Sequence, residues 1–370
     1  MKFKVPYTNF PISFEKLEVE ILDSVKRVMS EGNFILRGDV NQFEENIASF
    51  LKVRYCVGVN SGTDALYLAL KALNLKEEDE VITVSHTFVA TIAAIVHGGA
   101  KPVLVDIGDD FNIDANVIER AITKNTKAIC PVHMGGRVSR MDIIESLARK
   151  YNLKIVEDAA QALGAKFKGK SAGTFGDFGC FSMHPMKVLG SAGDAGALVS
   201  SSKDYAEQIK LLRNHGQKAG EDLALFGFSS RLDNLQAAIL NTKFKHLSHW
   251  IGRRRTLASI YHGGLINQKS VMLPPPPENE TDDYYDIFSS YVIRVEERDV
   301  LNSHLRNRGI ESFIHWPKPL HHHAKLNLQH FKLPKTEEIS LQAISLPIDP
   351  ELTSDQINFI INSINTFYEN

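Results

Sequence analysis

Apolar residues recur at two different periods along this chain. Between residues 39 and 52, Phe43, Ile47, Phe50 and Leu51 share one face with charges opposite, the spacing of an amphipathic helix. A short apolar run, Tyr55–Val59, follows, and Ala65, Leu66, Ala69, Leu70 and Leu73 predict a second helix over 64–73. Runs rich in Val and Ile at 81–84, 101–105, 128–132 and 154–156 predict strands. Helical stretches separate them: an apolar, Ala-rich one at 88–97, an amphipathic one at 114–122, and one at 140–150 carrying Ile143, Ile144, Leu147 and Ala148. Strand–helix alternation of this kind predicts an α/β fold, with a mainly parallel sheet covered by helices on both faces.

The pattern changes after residue 177. Phe178–Ser182 and Ala197–Ser201 are short strand-like runs joined by a Gly-containing loop, which suits an antiparallel pair and a mixed sheet. A long helical zone runs from about 203 to 264, interrupted near Gly227, and Leu273-Pro274-Pro275-Pro276-Pro277-Glu278-Asn279-Glu280 is a stiff connector. Beyond it come a strand (290–295), a helix (299–308), another strand near Ile314 and a final helix (354–368). At 370 residues the chain exceeds the usual size of one core. The expected division is a large domain, 1–245, and a smaller C-terminal α+β domain, 246–370. No internal repeat is present.

Composition narrows the function. Forty-two basic and 44 acidic residues give a net charge of −2, with no basic footprint for nucleic acid. An anionic ligand must therefore be held by local groups. Cys56, Cys130 and Cys180 are odd in number and lack zinc spacing, so buried free thiols in a reducing compartment are expected. The N-terminal residues do not resemble a secretory signal, and no apolar run reaches the roughly 18 residues of a membrane span. The expected location is cytoplasmic.

Lys187 is the leading candidate for chemistry. It lies in Phe181-Ser182-Met183-His184-Pro185-Met186-Lys187, ahead of Gly193-Asp194-Ala195-Gly196. Desolvation in such a loop lowers an amine's pKa, and only a neutral amine condenses with an aldehyde. Asp158 ends a strand, where ligands sit in open α/β sheets; it could pair with a protonated pyridine nitrogen or simply cap the next helix. Glu157 alternates away and suits a structural role. Ser61-Gly62-Thr63 opens a helix and is either a phosphate cradle or a plain cap. Ser182 offers a further hydroxyl to phosphate, and Phe88 either stacks on a ring or joins the core. Cradle, acid and lysine, in that order, are the parts a pyridoxal phosphate (PLP) site requires.

Two other clusters carry less. His315-Trp316-Pro317 with Pro319-Leu320-His321 suits a sugar or base, with a plain loop as the alternative, so His315 and His321 are candidate substrate contacts. Three adjacent histidines, His321-His322-His323, cannot all converge on one ion, and no acid is spaced to help, so no metal site is expected. Gly173, Gly176 and Gly179 do not form a dinucleotide fingerprint.

Over nearly its whole length the chain resembles the DegT-type sugar-nucleotide aminotransferases, PLP-dependent enzymes of transferase fold type I. The collinear residues include Phe34-Ile35-Leu36, Phe43-Glu44, Val59-Asn60-Ser61-Gly62-Thr63-Asp64-Ala65-Leu66, Glu80-Val81-Ile82 and Thr87-Phe88-Val89-Ala90-Thr91. They continue through Glu157-Asp158-Ala159-Ala160-Gln161-Ala162-Leu163-Gly164-Ala165, Lys187 and Ser230-Arg231-Leu232-Asp233-Asn234-Leu235-Gln236-Ala237-Ala238. The resemblance implies Lys187 as the Schiff-base lysine and Asp158 as the partner of the pyridine nitrogen. Gln161 falls at a ring contact, Gly62, Thr63 and Ser182 at the phosphate, and Phe88 at the ring face.

It also implies a homodimer with active sites at the interface, an amino-acid donor (glutamate in most relatives) and a nucleotide-linked keto sugar as acceptor, aminated at C-3, in aminosugar and polysaccharide biosynthesis. Ser229 stands where a partner-subunit Asn usually reaches the phosphate, and Ala195 replaces a usual Gly. Two rivals remain: a PLP-dependent dehydratase or lyase on a nucleotide sugar, and a non-catalytic PLP-binding regulator.

Overall fold

The structure is a computed structural model and describes residues 3–218, 222–277 and 282–369. The chain opens with α1 (Phe10–Glu31) and α2 (Gly38–Leu51), then enters the sheet at β1 (Tyr55–Val59). From there α3 (Gly62–Ala72), β2 (Glu80–Val84), α4 (Val89–Gly98), β3 (Lys101–Val105), α5 (Ile118–Ala121), β4 (Thr126–Ile129), α6 (Met141–Tyr151) and β5 (Lys154–Asp158) alternate. Two short strands, β6 (Lys166–Phe167) and β7 (Lys170–Ser171), precede β8 (Phe178–Ser182) and β9 (Gly196–Ser200). The remainder holds α7 (Lys203–Leu212), α8 (Asn234–Phe244), α9 (Leu247–Leu265), β10 (Tyr284–Tyr285), β11 (Tyr291–Arg294), α10 (Arg298–Asn307), α11 (Pro334–Gln342), β12 (Ala343–Leu346) and α12 (Ser354–Glu369).

Seven strands form the central sheet in the order β1-β9-β8-β5-β4-β2-β3. Neighbours from β3 to β8 are parallel, while β9 runs antiparallel to both β8 and β1. The expected mixed, mainly parallel sheet is therefore present, with β9 as its reversed strand. β8 and β9 are buried over nearly their whole length, as strands covered on both faces must be. Cys56, Cys130 and Cys180 are free and buried in this layer.

Some expected elements differ. The helix expected over 114–122 shrinks to one turn, because the Asp114 carboxylate takes the Asn116 N–H in an Asx turn. The zone 203–264 is not one interrupted helix: between α7 and α8 the chain forms bridges Asn214↔Ser229 and Gln217↔Leu223, entered through positive φ at His215 and Gly216. Near Ile314 there is only an isolated bridge, Phe313↔Ser345. The connector at 273–280 lies partly outside the described residues. No expectation covered α1, α11 or β12.

The apolar face of α9 is shared between two clusters. Leu247 and Ile251 pack with the sheet and α2, while Leu257, Ala258, Tyr261 and Leu265 pack with β11, β12, α10 and α12. Val5 joins that second cluster and bridges Ile310, so the N-terminal segment ends beside the C-terminal elements. Among the described residues, no helix is long and apolar enough to cross a membrane.

Candidate active site

Three chain crossings meet at the carboxyl ends of the parallel strands. The first is the turn from β1 into α3. Ser61 caps α3, its hydroxyl accepting the Asp64 N–H at 3.1 Å. Gly62 and Thr63 begin the helix, so their N–H groups have no acceptor within it and carry the positive end of its dipole. A Cβ at Gly62 would lie 2.6 Å from Ser182 Cβ and 3.0 Å from Ser182 Cα. Only glycine lets the end of β8 press its serine against this helix start.

The second crossing is the end of β5. The two acids there face opposite ways, as strand alternation requires. Glu157 is fully buried; its carboxylate accepts N–H bonds from Gly173 (2.8 Å), Phe175 and Gly176 (2.7 Å each) and meets His133 Nε2 at 2.9 Å. The glycine-rich stretch before β8 is thus tied down by a carboxylate. Asp158 is buried on the other side, where Oδ2 accepts from Thr91 Oγ1 at 2.7 Å and Oδ1 from the Ala160 N–H at 3.2 Å. Burial pushes its carboxyl above the usual range; the Thr91 and Ala160 bonds and the Lys187 charge pull it back.

The third crossing is the β8–β9 loop. Its base is closed by Met183 N–H to Ala195 O (2.8 Å), and Ser191 N–H and Oγ both donate to Met183 O at 2.8 Å. Lys187 N–H returns to His184 O at 2.8 Å, which turns the side chain inward. Burial lowers the Lys187 amine below an ordinary lysine, and the Asp158 charge opposes that shift.

These crossings enclose a cavity of about 550 Å³ lined by Gly62, Thr63, Phe88, Asp158, Gln161, Ser182, Lys187 and His315. Gln161 is oriented by accepting the Gly135 N–H at 3.0 Å. Phe88 is 59% exposed at the start of α4, so it lines the cavity rather than joining the core. His315 Nε2 lies 3.5 Å from the Tyr7 hydroxyl, and burial lowers its pKa.

Two candidates are elsewhere. Ser229 is exposed and accepts from Arg231 at 3.0 Å, outside the cavity lining. His321 is fully buried against Ser85 and Glu337, also outside that lining, so the expected substrate contact from His321 is not what the structure shows. The acid that seemed missing from the histidine run is Glu337, supplied by α11.

Sequence reasoning missed Tyr7, His86 and Phe111. His86 stacks on Phe111 (centroids 5.7 Å) and meets Trp316 edge-on at 5.3 Å; burial lowers its pKa to about 4, helped by His315. Its place just after β2, ahead of Thr87-Phe88, was the available signal. Tyr7 had none, since only folding brings it beside His315.

A helix start with a methyl-free approach, a buried carboxyl shifted upward and a buried amine shifted downward by desolvation suit a phosphorylated ring bearing an aldehyde. Among α/β folds with one reversed strand beside the lysine loop, this combination is that of PLP enzymes of fold type I. Residues 15–365 match the DegT/DnrJ/EryC1/StrS aminotransferase family, and the chain belongs to it. It is 38% identical to a pleiotropic regulatory protein of Geobacillus stearothermophilus, over 98% of each chain. It is also 38% identical to dTDP-3-amino-3,4,6-trideoxy-alpha-D-glucose transaminase of Streptomyces venezuelae, over 99% of this chain and 97% of that one. The crystal structure of DesV from S. venezuelae superposes with a TM-score of 0.95 at 36% identity, covering 100% of both chains. The protein is accordingly an aminotransferase with PLP as its cofactor.

Proposed function

We propose that the protein moves the amino group of an amino acid, L-glutamate, onto C-3 of a nucleotide-linked keto sugar. The observation that carries this reading is the shared cavity of Lys187 and Asp158, which continues into the His86–Phe111–Trp316–His315 wall. Relatives named for 3-amino sugars, linked to dTDP in one case and to UDP in another, support that acceptor and carbon. PLP, when bound, supplies an aldehyde carbon and an electron-withdrawing ring.

The chain's residues do the rest. Gly62 and Thr63 N–H groups and the Ser182 hydroxyl hold the phosphate. The Asp158 carboxylate holds a proton at the ring nitrogen, and Thr91 fixes that carboxylate's orientation. Lys187 Nζ would be the amine that holds the aldehyde and, when free, the base placed to take the proton from the donor's Cα. Phe88 and Gln161 would contact the ring, and His315 would meet the acceptor sugar, all three lining the same cavity.

We further propose a homodimer, with Ser229 reaching the partner's phosphate site, and a cytoplasmic place in aminosugar and polysaccharide biosynthesis. Exposed Phe10, Phe14, Val19, Leu22 and Phe226 support a covered surface. The same reading divides the chain into a large domain, 1–245, and a smaller one, 246–370. A regulatory reading rests on the names of two relatives, a pleiotropic regulatory protein and an erythromycin biosynthesis sensory transduction protein; a lyase reading has no observation in its favour.

Incubating holoenzyme with L-glutamate alone distinguishes the three. Stoichiometric 2-oxoglutarate, followed by amino-sugar formation from a panel of dTDP-, UDP- and GDP-linked 3-keto sugars, is expected. Cofactor binding without any amino-group exchange sinks the reading, as does water loss from the sugar in its place. Sedimentation at micromolar concentration tests the dimer.

A further inference from the structure

We propose that His321, His322 and Glu337 bind a divalent transition-metal ion of the zinc class, at a site separate from the cofactor cavity. His321 and His322 end the short 3-10 turn Leu320–His322, and Glu337 lies in the first turn of α11. Glu337 Oε1 lies 3.2 Å from His321 Nε2 and 3.5 Å from His322 Nε2, and one donor atom from each residue falls within 4.8 Å of the others. Tetrahedral zinc with bonds of roughly 2.0–2.1 Å sets neighbouring ligands about 3.3–3.4 Å apart. These two edges therefore match a coordination polyhedron as well as they match hydrogen bonds.

Groups around the ligands favour the metal reading. Ser85 Oγ lies 2.8 Å from His321 Nδ1, the nitrogen facing away from Glu337. With Nδ1–H donating to that oxygen, Nε2 keeps its lone pair, which is the outer-shell bond that metal-ligating histidines usually make. The turn bearing His321 is held in place, because its own N–H also donates to Ser85 Oγ at 3.1 Å. α11 is anchored by Asp106, whose two oxygens take the Lys335 and Thr336 N–H groups at 2.8 Å each.

His321 is fully buried, while the side chains of His322 and Glu337 are 44% and 38% exposed, leaving an approach for the ion and a remaining position for water. Two imidazoles and one carboxylate select zinc, cobalt, nickel or copper over magnesium or calcium. An ion here pins the histidine turn to α11 and, through Ser85, to the end of β2, which runs directly into the cavity-lining His86-Thr87-Phe88.

The test uses holoenzyme dialysed against EDTA and titrated with Co²⁺, whose visible d–d absorption lies beyond the cofactor band. One tightly bound Co²⁺ per chain, with the strong absorption of a four- or five-coordinate ion and displacement by Zn²⁺, is expected. His322→Ala and Glu337→Gln should each weaken binding at least tenfold, while His323→Ala leaves it unchanged. His321 lies in the interior and is left intact, so folding does not confuse the result. No saturable Co²⁺ spectrum, or one unaltered by either His322→Ala or Glu337→Gln, overturns the proposal and leaves only a hydrogen-bonded His–Glu cluster. The readout is the ion's own spectrum, so its failure says nothing against amino transfer.

Discussion

Asp158 and Lys187 line one cavity and resist each other's neutralisation. Burial pushes the Asp158 carboxyl up and the Lys187 amine down, and the charge of each opposes the shift of the other. Each group's charge thus favours the charged form of the other inside the cavity. Asp158→Asn removes that charge while still offering an oxygen to Thr91. Turnover should fall on the order of a hundredfold or more, with the protein still folded, as steady-state kinetics and circular dichroism will show.

Lys187→Ala removes the nucleophile, and Lys187→Arg replaces it with a cation that does not deprotonate. Both should lower turnover by about a thousandfold or more. Borohydride reduction followed by peptide mapping should label position 187 in the wild type and nothing in either variant. Multiple turnovers by Lys187→Ala would refute the assignment.

Gly62→Ala tests the phosphate cradle. The added methyl meets Ser182 at 2.6 Å, against backbone as well as side chain, so β8 and the start of α3 must separate. Cofactor affinity should drop roughly tenfold or more, which is about 1.4 kcal/mol. Fluorescence titration of the apoprotein with PLP measures it; unchanged affinity would place the phosphate elsewhere.

His86 should make stability depend on pH with a definite sign. Its folded pKa is lowered to about 4, by burial and then by the His315 charge, from the 6.5 of an ordinary histidine. Between those values the unfolded chain binds a proton that the folded chain refuses, so stability falls as pH drops from 6.5 toward 4 and levels off below. The loss is on the order of 3 kcal/mol. His86→Phe keeps the stacking on Phe111 without the titration. Urea denaturation at pH 7 and pH 4 should show the variant losing less stability than the wild type by about that amount; parallel losses would refute it.

The large-scale pattern was legible because its signals are local. Most strands of the central sheet carry a Val-, Ile- or aromatic-rich run, and Ala197–Ser201 could be paired with Phe178–Ser182 from the loop between them. Lys187, Asp158 and Gly62 stood out because their residue types are unusual at those positions. What escaped depends on partners distant in sequence. Glu337 is 16 residues from His321, and its meaning appears only once Asp106 anchors α11. Tyr7 gains its role from a chain reversal that brings the N-terminal segment against Ile310 and His315. The expected helical zone breaks after Leu212, where positive φ at His215 and Gly216 leads into the bridges Asn214↔Ser229 and Gln217↔Leu223. In α1, Phe10, Ile12, Phe14, Val19, Leu22 and Met29 are exposed, so no single buried stripe marks that helix.

The placement of β9 between β1 and β8 governs when the anion cradle comes into being. A Cβ at Gly196 would strike Ser61 O at 2.3 Å and Gly62 N at 2.8 Å, so the last inserted strand forms one wall of the cradle. A chain that ends before Gly196 lacks this wall beside Gly62, so the phosphate hold proposed for that helix start depends on a strand that joins the sheet from far along the sequence.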